Sequence, residues 1–417
     1  MINRNQEQTA LEALHDTPVV LLVGPRQVGK STLAQQLASA MRARTVQSLD
    51  DPATRAAARE DPNGFVAGLR LPAVLDEVQR VPDLMYGIKT AVDGIRLAGD
   101  SADGSFLLTG SASIWDTIEN PESLAGRIER VAMWPFSQGE LAGRREHFID
   151  ALFDGDPPHA PTIQLSRAEV GEIVVRGGYP EVQGRAERRA QRWFSEYISR
   201  VLDRDIRDLA NVRRPEDLLR LLTLCATRAG SLVNVDSMLG DLGMSLSTGR
   251  RYYELLSRVY LVREIPSWGN NLARSTVRSP KLLITDSGLA AHLAGYSQAK
   301  FARDVNARPG AGHLFENFVS VELLKASSWC REETRAFHWR DQSGREVDLL
   351  LERRDGSLVA FEHKLGTSVD QEHFKHLAYL RDQLGDRFVG GAVIYTGQST
   401  LAFGERLWAV PVEALWA

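Results

Sequence analysis

Val19-Val-Leu-Leu-Val23 runs directly into Gly24-Pro-Arg-Gln-Val-Gly29-Lys30-Ser31, and Thr32-Leu-Ala-Gln-Gln-Leu-Ala-Ser-Ala40 follows. The first piece is an unbroken apolar run of the length a buried parallel strand needs. The last places apolar residues at helical spacing. Between them, G-x-x-x-x-G-K-S fits the phosphate-binding loop at every fixed position, in the strand–loop–helix context that gives the pattern its meaning. Glycines allow backbone N–H groups close to phosphate oxygens, and a helix N-terminus adds partial positive charge. Gly24, Pro25, Arg26, Gln27, Val28, Gly29, Lys30, Ser31 and Thr32 are therefore the expected nucleotide cradle. Lys30 would reach the β- and γ-phosphates, and the Ser31 hydroxyl would hold Mg²⁺.

Composition narrows the setting. The chain has 417 residues, enough for two to four domains with real cores, and its 43% hydrophobic and 25% charged content is ordinary for a globular protein. No run approaches the ~18 apolar residues of a membrane helix, and the first residues lack a signal-peptide core. Cys225 and Cys330 lie far apart, which argues against a disulfide framework and a zinc cluster and makes a cytoplasmic setting the expectation. A net charge of −4 gives no global nucleic-acid signature, so such a surface would have to be local.

Beyond the loop, Thr45-Val-Gln-Ser-Leu49 predicts a second strand. Pro72-Ala-Val-Leu-Asp76-Glu77 predicts a third, ending in paired acids. In an open parallel sheet, ligands sit beyond the C-terminal strand ends, so Asp76 is placed to hold Mg²⁺ and Glu77 to polarise the attacking water. Ser105-Phe-Leu-Leu-Thr109-Gly110-Ser111 repeats the pattern and brings hydroxyls to the same edge. The order of these motifs, followed by Ser123-Leu-Ala-Gly126-Arg127, resembles the AAA-type ATPases of bacteria and archaea. Within them it resembles the group whose C-terminal half is a domain of unknown function. The resemblance implies ATP as ligand, a sensor role for Thr109, and Arg127 (then Arg130) as an arginine finger reaching into a neighbouring subunit. It therefore also implies a homo-oligomer, such as a ring.

Asp154-Gly-Asp-Pro-Pro-His-Ala-Pro161 is a turn-rich break. Val174-Val-Arg-Gly-Gly-Tyr-Pro180 then leads into a helix predicted from Arg188 to about Leu209, with an apolar stripe at Trp193, Tyr197, Ile198, Val201, Leu202 and Ile206. Its arginines alternate with acids and read as a solvated face. Asp236 to Gly243 and Ser245 to Val259 predict helix, turn, helix. Leu261–Ile265 and Lys281–Thr285 predict a hairpin across Gly269-Asn-Asn271. That order is a winged helix, with Arg250, Arg251 and Tyr252 expected on the exposed face that would meet DNA.

The last third predicts a helix over Gly312–Lys325 carrying Glu316. A hairpin is expected from Arg345-Glu-Val-Asp348-Leu-Leu-Leu351, the turn Asp355-Gly356 and Leu358-Val-Ala-Phe-Glu362-His-Lys364. Strand alternation puts Glu362 and Lys364 on one face, with Asp348 across the hairpin. This resembles the PD-(D/E)xK nucleases. By that resemblance Asp348 and Glu362 bind Mg²⁺, Lys364 activates water, and Glu316 contributes from the helix. The expected fold is thus α/β: an AAA-type core (1–143), a helical connector (144–229), a winged-helix part (230–298) and a nuclease-like α/β domain (299–417). The functional expectation is a Mg²⁺-dependent ATPase acting at DNA, with a nuclease-fold C-terminal part. The alternative is a nucleotide-dependent oligomeric switch whose C-terminal part binds protein or DNA without cutting.

Overall fold

The computed structural model describes residues 2–111, 126–156, 164–206, 212, 214–269, 279–304 and 309–416. Its N-terminal part is a parallel sheet of five strands: β1 (Val19–Val23), β2 (Thr45–Ser48), β3 (Ala73–Asp76), β4 (Phe106–Gly110) and β5 (Ile128–Ala132). They lie in the order β2-β3-β4-β1-β5. Every residue of β1 is buried, which explains why its sequence is apolar without alternation. Val20 and Leu22 face one apolar layer, together with Leu33, Ala34 and Leu37 of the helix Lys30–Ala40. Val19, Leu21 and Val23 face the other, with Met85, Ile88 and Val92 of the helix Leu84–Leu97. With β4 between β1 and β3, the strand ends at Val23, Asp76 and Gly110 share one edge.

The middle is helical. A buried anchor organises its entry: Gly178 N–H donates to the Asp286 carboxylate (2.7 Å), and Tyr179, fully buried, hydrogen-bonds through its hydroxyl to Tyr197 (2.8 Å). The helix Glu187–Arg200 continues through a wider π-turn over Val201–Asp205 to Ile206, and its predicted end near Leu209 lies outside the described residues. Tyr197, Ile198, Val201, Leu202 and Ile206 of the predicted stripe are buried, and Trp193 packs at its margin. The helices Val235–Asp241 and Leu246–Arg258 then lead to β6 (Val262–Ile265), which pairs antiparallel with β7 (Lys281–Ile284). Asn270 and Asn271 of the predicted hairpin loop fall outside the described residues, as do Ser123 to Ala125 beside Arg127.

The C-terminal part has a mixed sheet: β8 (Thr334–Arg340), β9 (Glu346–Arg353), β10 (Leu358–Lys364), β11 (Phe388–Tyr395), β12 (Leu401–Ala402) and β13 (Leu407–Pro411). The order is β12-β13-β11-β10-β9-β8; β8, β9 and β10 run antiparallel, whereas β10, β11 and β13 are parallel. The helix Pro309–Ser327 covers one face and Lys375–Leu384 the other. Among the described residues no helix is long and apolar enough to cross a membrane.

Candidate functional site

Two glycines shape the phosphate loop. Gly24 has φ +149°, and a Cβ there would lie 2.1 Å from the carbonyl oxygen of Met133, so only glycine permits β1 and the segment after β5 to approach so closely. Gly29 has φ +97° and caps the helix that starts at Lys30. The Lys30 side chain is buried and folds back on its own loop, donating to the carbonyls of Gly24 (3.0 Å) and Pro25 (2.7 Å). An ammonium folded onto its own loop lies at hand for an anion entering the cradle.

The strand ends supply the acids. Asp76 Oδ1 accepts from the Ser31 hydroxyl (2.8 Å) and the Thr109 hydroxyl (2.5 Å). Ser48 Oγ lies 3.4 Å from its other oxygen. Hydroxyl and carboxylate oxygens converging at a helix start suit a hard divalent cation. Thr109 is fully buried and also accepts the Glu77 N–H (3.0 Å). That bond holds Glu77 at φ +61°, a left-handed conformation costly for a non-glycine residue. Gln79 and Ser111 engage Glu77 Oε2, leaving Oε1 without a partner among the described residues. The carboxylate is thus aimed by neutral donors.

Arg127 sits elsewhere. Its carbonyl accepts from Val19 N–H at the start of β1, while the loop follows the other end of that strand, ~16 Å away at ~3.3 Å per residue. Its guanidinium pairs with Asp93 (2.7 Å) of the helix Leu84–Leu97. Two cavities flank the loop. One, about 420 Å³, is lined by Gly24, Pro25, Arg130, Trp134, Arg258 and Tyr260. The other, about 450 Å³, is lined by Gln27, Arg189, Arg192, Trp193, Tyr197 and Arg200. The arginines of the helix Glu187–Arg200, which sequence presents as a solvated face, therefore turn partly toward the phosphate loop.

In the C-terminal part, Glu316, Asp348 and Glu362 come together, and Lys364 stands two residues beyond Glu362 at the end of β10. Lys364 is exposed, its carbonyl accepting from Gly366 N–H (2.9 Å), and its charge acts on Glu362 from solvent. The cation present is Lys281 of β7, fully buried, which donates to Asp348 Oδ1 (2.8 Å) and pairs with Glu316. Lys281 holds the Asp348 carboxyl well below the usual carboxylate range against its burial. Burial and the Asp348 charge push Glu316 up to about 8 and raise Glu362 as well. Among the described residues no set of three acidic, His or Cys side chains is arranged to hold a metal, and the cation that Asp348 and Glu316 face is the Lys281 ammonium.

The helix Leu246–Arg258 departs from expectation too. Tyr252 is only 4% exposed, part of the packing rather than of the surface. Arg250 is held bidentately by Asp236 (2.7 and 2.5 Å). Arg251 remains exposed and lines a cavity of about 640 Å³ with Arg214, Arg220, Ser245 and Thr248.

Residues 16–142 match an AAA domain, 167–300 a domain of unknown function (DUF8612) and 311–415 another (DUF4143). The uncharacterized proteins Rv2008c of Mycobacterium tuberculosis and Mb2031c of Mycobacterium bovis are each 30% identical over 407 residues, 97% of this chain and 82% of theirs. This chain belongs to their family. Among solved structures, the Walker-type ATPase PABY2304 of Pyrococcus abyssi is similar at 15% identity and a TM-score of 0.42, over 70% of this chain and 96% of that one. The AAA-domain match covers the five-stranded parallel sheet and its loop, which was legible from contiguous sequence. Lys281 and the loop-facing arginines were not, because no local spacing connects them to the residues they face.

Proposed function

We propose that this protein is a Mg²⁺-dependent ATPase. The observation that carries the reading is the convergence of the Ser31 and Thr109 hydroxyls on Asp76 Oδ1, with Glu77 aimed from the next residue. Lys30 would leave the Gly24 and Pro25 carbonyls for the β- and γ-phosphates. Ser31 and Asp76 would hold Mg²⁺, which neutralises phosphate charge when bound. Glu77 Oε1 would accept a proton from the attacking water while Thr109 keeps that carboxylate in place. Arg127, at the far end of the sheet from its own loop, would serve a neighbour's site in an oligomer once released from Asp93. The test is turnover: Lys30→Ala should bring ATP hydrolysis to background, and retained hydrolysis overturns the assignment.

For the remainder we propose binding without cleavage, with hydrolysis driving a change in what the middle and C-terminal parts engage. The Lys281 ammonium paired with both Asp348 and Glu316, where a cutting site would need its metal, favours this over cutting. The exposed Arg251, beside Arg214 and Arg220, supports DNA as the partner. Hydrolysis stimulated by duplex DNA supports it. Slow turnover indifferent to DNA supports the protein-binding switch instead. Nicking of plasmid with Mg²⁺ or Mn²⁺ that Glu362→Ala removes would refute the non-cleaving assignment.

A further inference from the structure

Three carboxylates meeting in a nearly dry setting need a counter-charge, and the chain supplies one from outside the C-terminal domain. Lys281 opens β7, 67 residues before Asp348, and its side chain has no exposure at all. The ammonium donates to Asp348 Oδ1 at 2.8 Å and to the Asp348 carbonyl at 3.2 Å, and pairs with Glu316. The second Asp348 oxygen accepts the His363 N–H at 2.9 Å. Glu362, nearly buried, sits against the same carboxylate, with His376 Nδ1 3.9 Å from its Oε1. Beside the group the imidazole of His363 is fully buried, 3.8 Å from Asp348, and neither of its nitrogens has a hydrogen-bond partner.

A divalent ion bridging Glu316 and Asp348 would require oxygen contacts of ~2.0–2.6 Å, in the space the ammonium occupies. The ammonium has three donors and no lone pair, so it cannot join a coordination sphere, and two cations at that separation repel strongly in a dry site. Metal and lysine are mutually exclusive here.

We propose that Lys281 is the resident cation of the C-terminal acid centre, occupying the position of a divalent metal and fastening the β6–β7 hairpin to the C-terminal sheet. The centre is a socket for a lysine delivered by the preceding segment. Its acids are retained to bind that lysine, and the unpartnered His363 marks ligand capacity the ammonium leaves unused. This inference stands independently of the ATPase assignment, since it concerns neither the loop nor its acids.

The test uses the full chain without nucleotide, in an Asp76→Asn background that removes the loop's metal acid, with Mn²⁺ followed by electron paramagnetic resonance. The parent should bind no stoichiometric Mn²⁺. Lys281→Ala should gain one bound Mn²⁺ per chain, lost again on adding Asp348→Asn. A folded Lys281→Ala variant that gains no Mn²⁺ overturns the inference, as does a parent that binds Mn²⁺ in a manner Asp348→Asn abolishes. Amine labelling read by mass spectrometry covers the case in which Lys281→Ala does not fold. In the unsubstituted protein, Lys281 should be among the slowest lysines to react, at a rate Mn²⁺ leaves unchanged, and should react at least tenfold faster in Glu316→Gln. Acceleration by Mn²⁺ would mean that metal displaces the lysine, and refutes residency.

Discussion

Replacing Thr109 with valine keeps the shape of a fully buried β-branched side chain and deletes one hydroxyl with two functions. The hydroxyl donates to Asp76 at 2.5 Å and accepts the Glu77 N–H at 3.0 Å. A hydrogen bond to a charged partner contributes about 1.5–3 kcal/mol, and 1.4 kcal/mol is a factor of ten, so misaiming Glu77 should slow turnover roughly 10- to 100-fold. Leaving the Glu77 N–H unsatisfied should cost about 1–3 kcal/mol of stability, while the left-handed Glu77 backbone relaxes toward cheaper geometry. The Lys30 ammonium donates to the Gly24 and Pro25 carbonyls whereas the Thr109 hydroxyl bonds Asp76 and Glu77, so affinity for a fluorescent ATP analogue should change less than threefold. Steady-state hydrolysis over a Mg-ATP titration separates these effects: kcat should fall and KM stay nearly constant. Thr109→Ser, which keeps the hydroxyl, should restore most of the rate. Valine turning over within threefold of the parent, or serine being as poor as valine, would refute the idea that Thr109 aims Glu77.

Arg127→Ala should reduce turnover by about 10³-fold if the guanidinium serves a neighbour, yet barely shift the melting temperature, since its partly exposed pair with Asp93 contributes only ~0–1 kcal/mol. Mixing Arg127→Ala with Lys30→Ala should then recover activity, and no recovery would rule out action between subunits. Arg251→Glu should weaken duplex DNA binding at least tenfold in a fluorescence anisotropy titration at fixed salt; unchanged affinity removes that surface from the account. Burial raises the Glu146 carboxyl to about 7. The folded state therefore binds the extra proton between about pH 4.3 and 7, and this group's stability contribution, full below about pH 4.3, is lost as pH rises through 7. Denaturant unfolding of Glu146→Gln should lack that decline, which is on the order of 3 kcal/mol in the parent; an identical pH slope in both proteins would contradict it.

What sequence alone determined is local and contiguous. The loop Gly24–Ser31, the apolar strands and the strand-terminal residues Asp76, Glu77 and Thr109 are legible because phosphate binding imposes fixed residue types at fixed spacing, and parallel strands bring their ends to one edge. The C-terminal hairpin was legible for the same reason, from alternation and an Asp-Gly turn. Which lysine meets the acids was not. Strand alternation puts Lys364 on the face of Glu362, but tertiary packing leaves it in water and inserts Lys281 from another element, 35 residues before Glu316 and 67 before Asp348. Tyr252, Arg250 and the arginines facing Gln27 follow the same logic. Periodicity says that a residue lies on a helix face, whereas only the assembled fold decides whether that face meets solvent, a carboxylate or the phosphate loop.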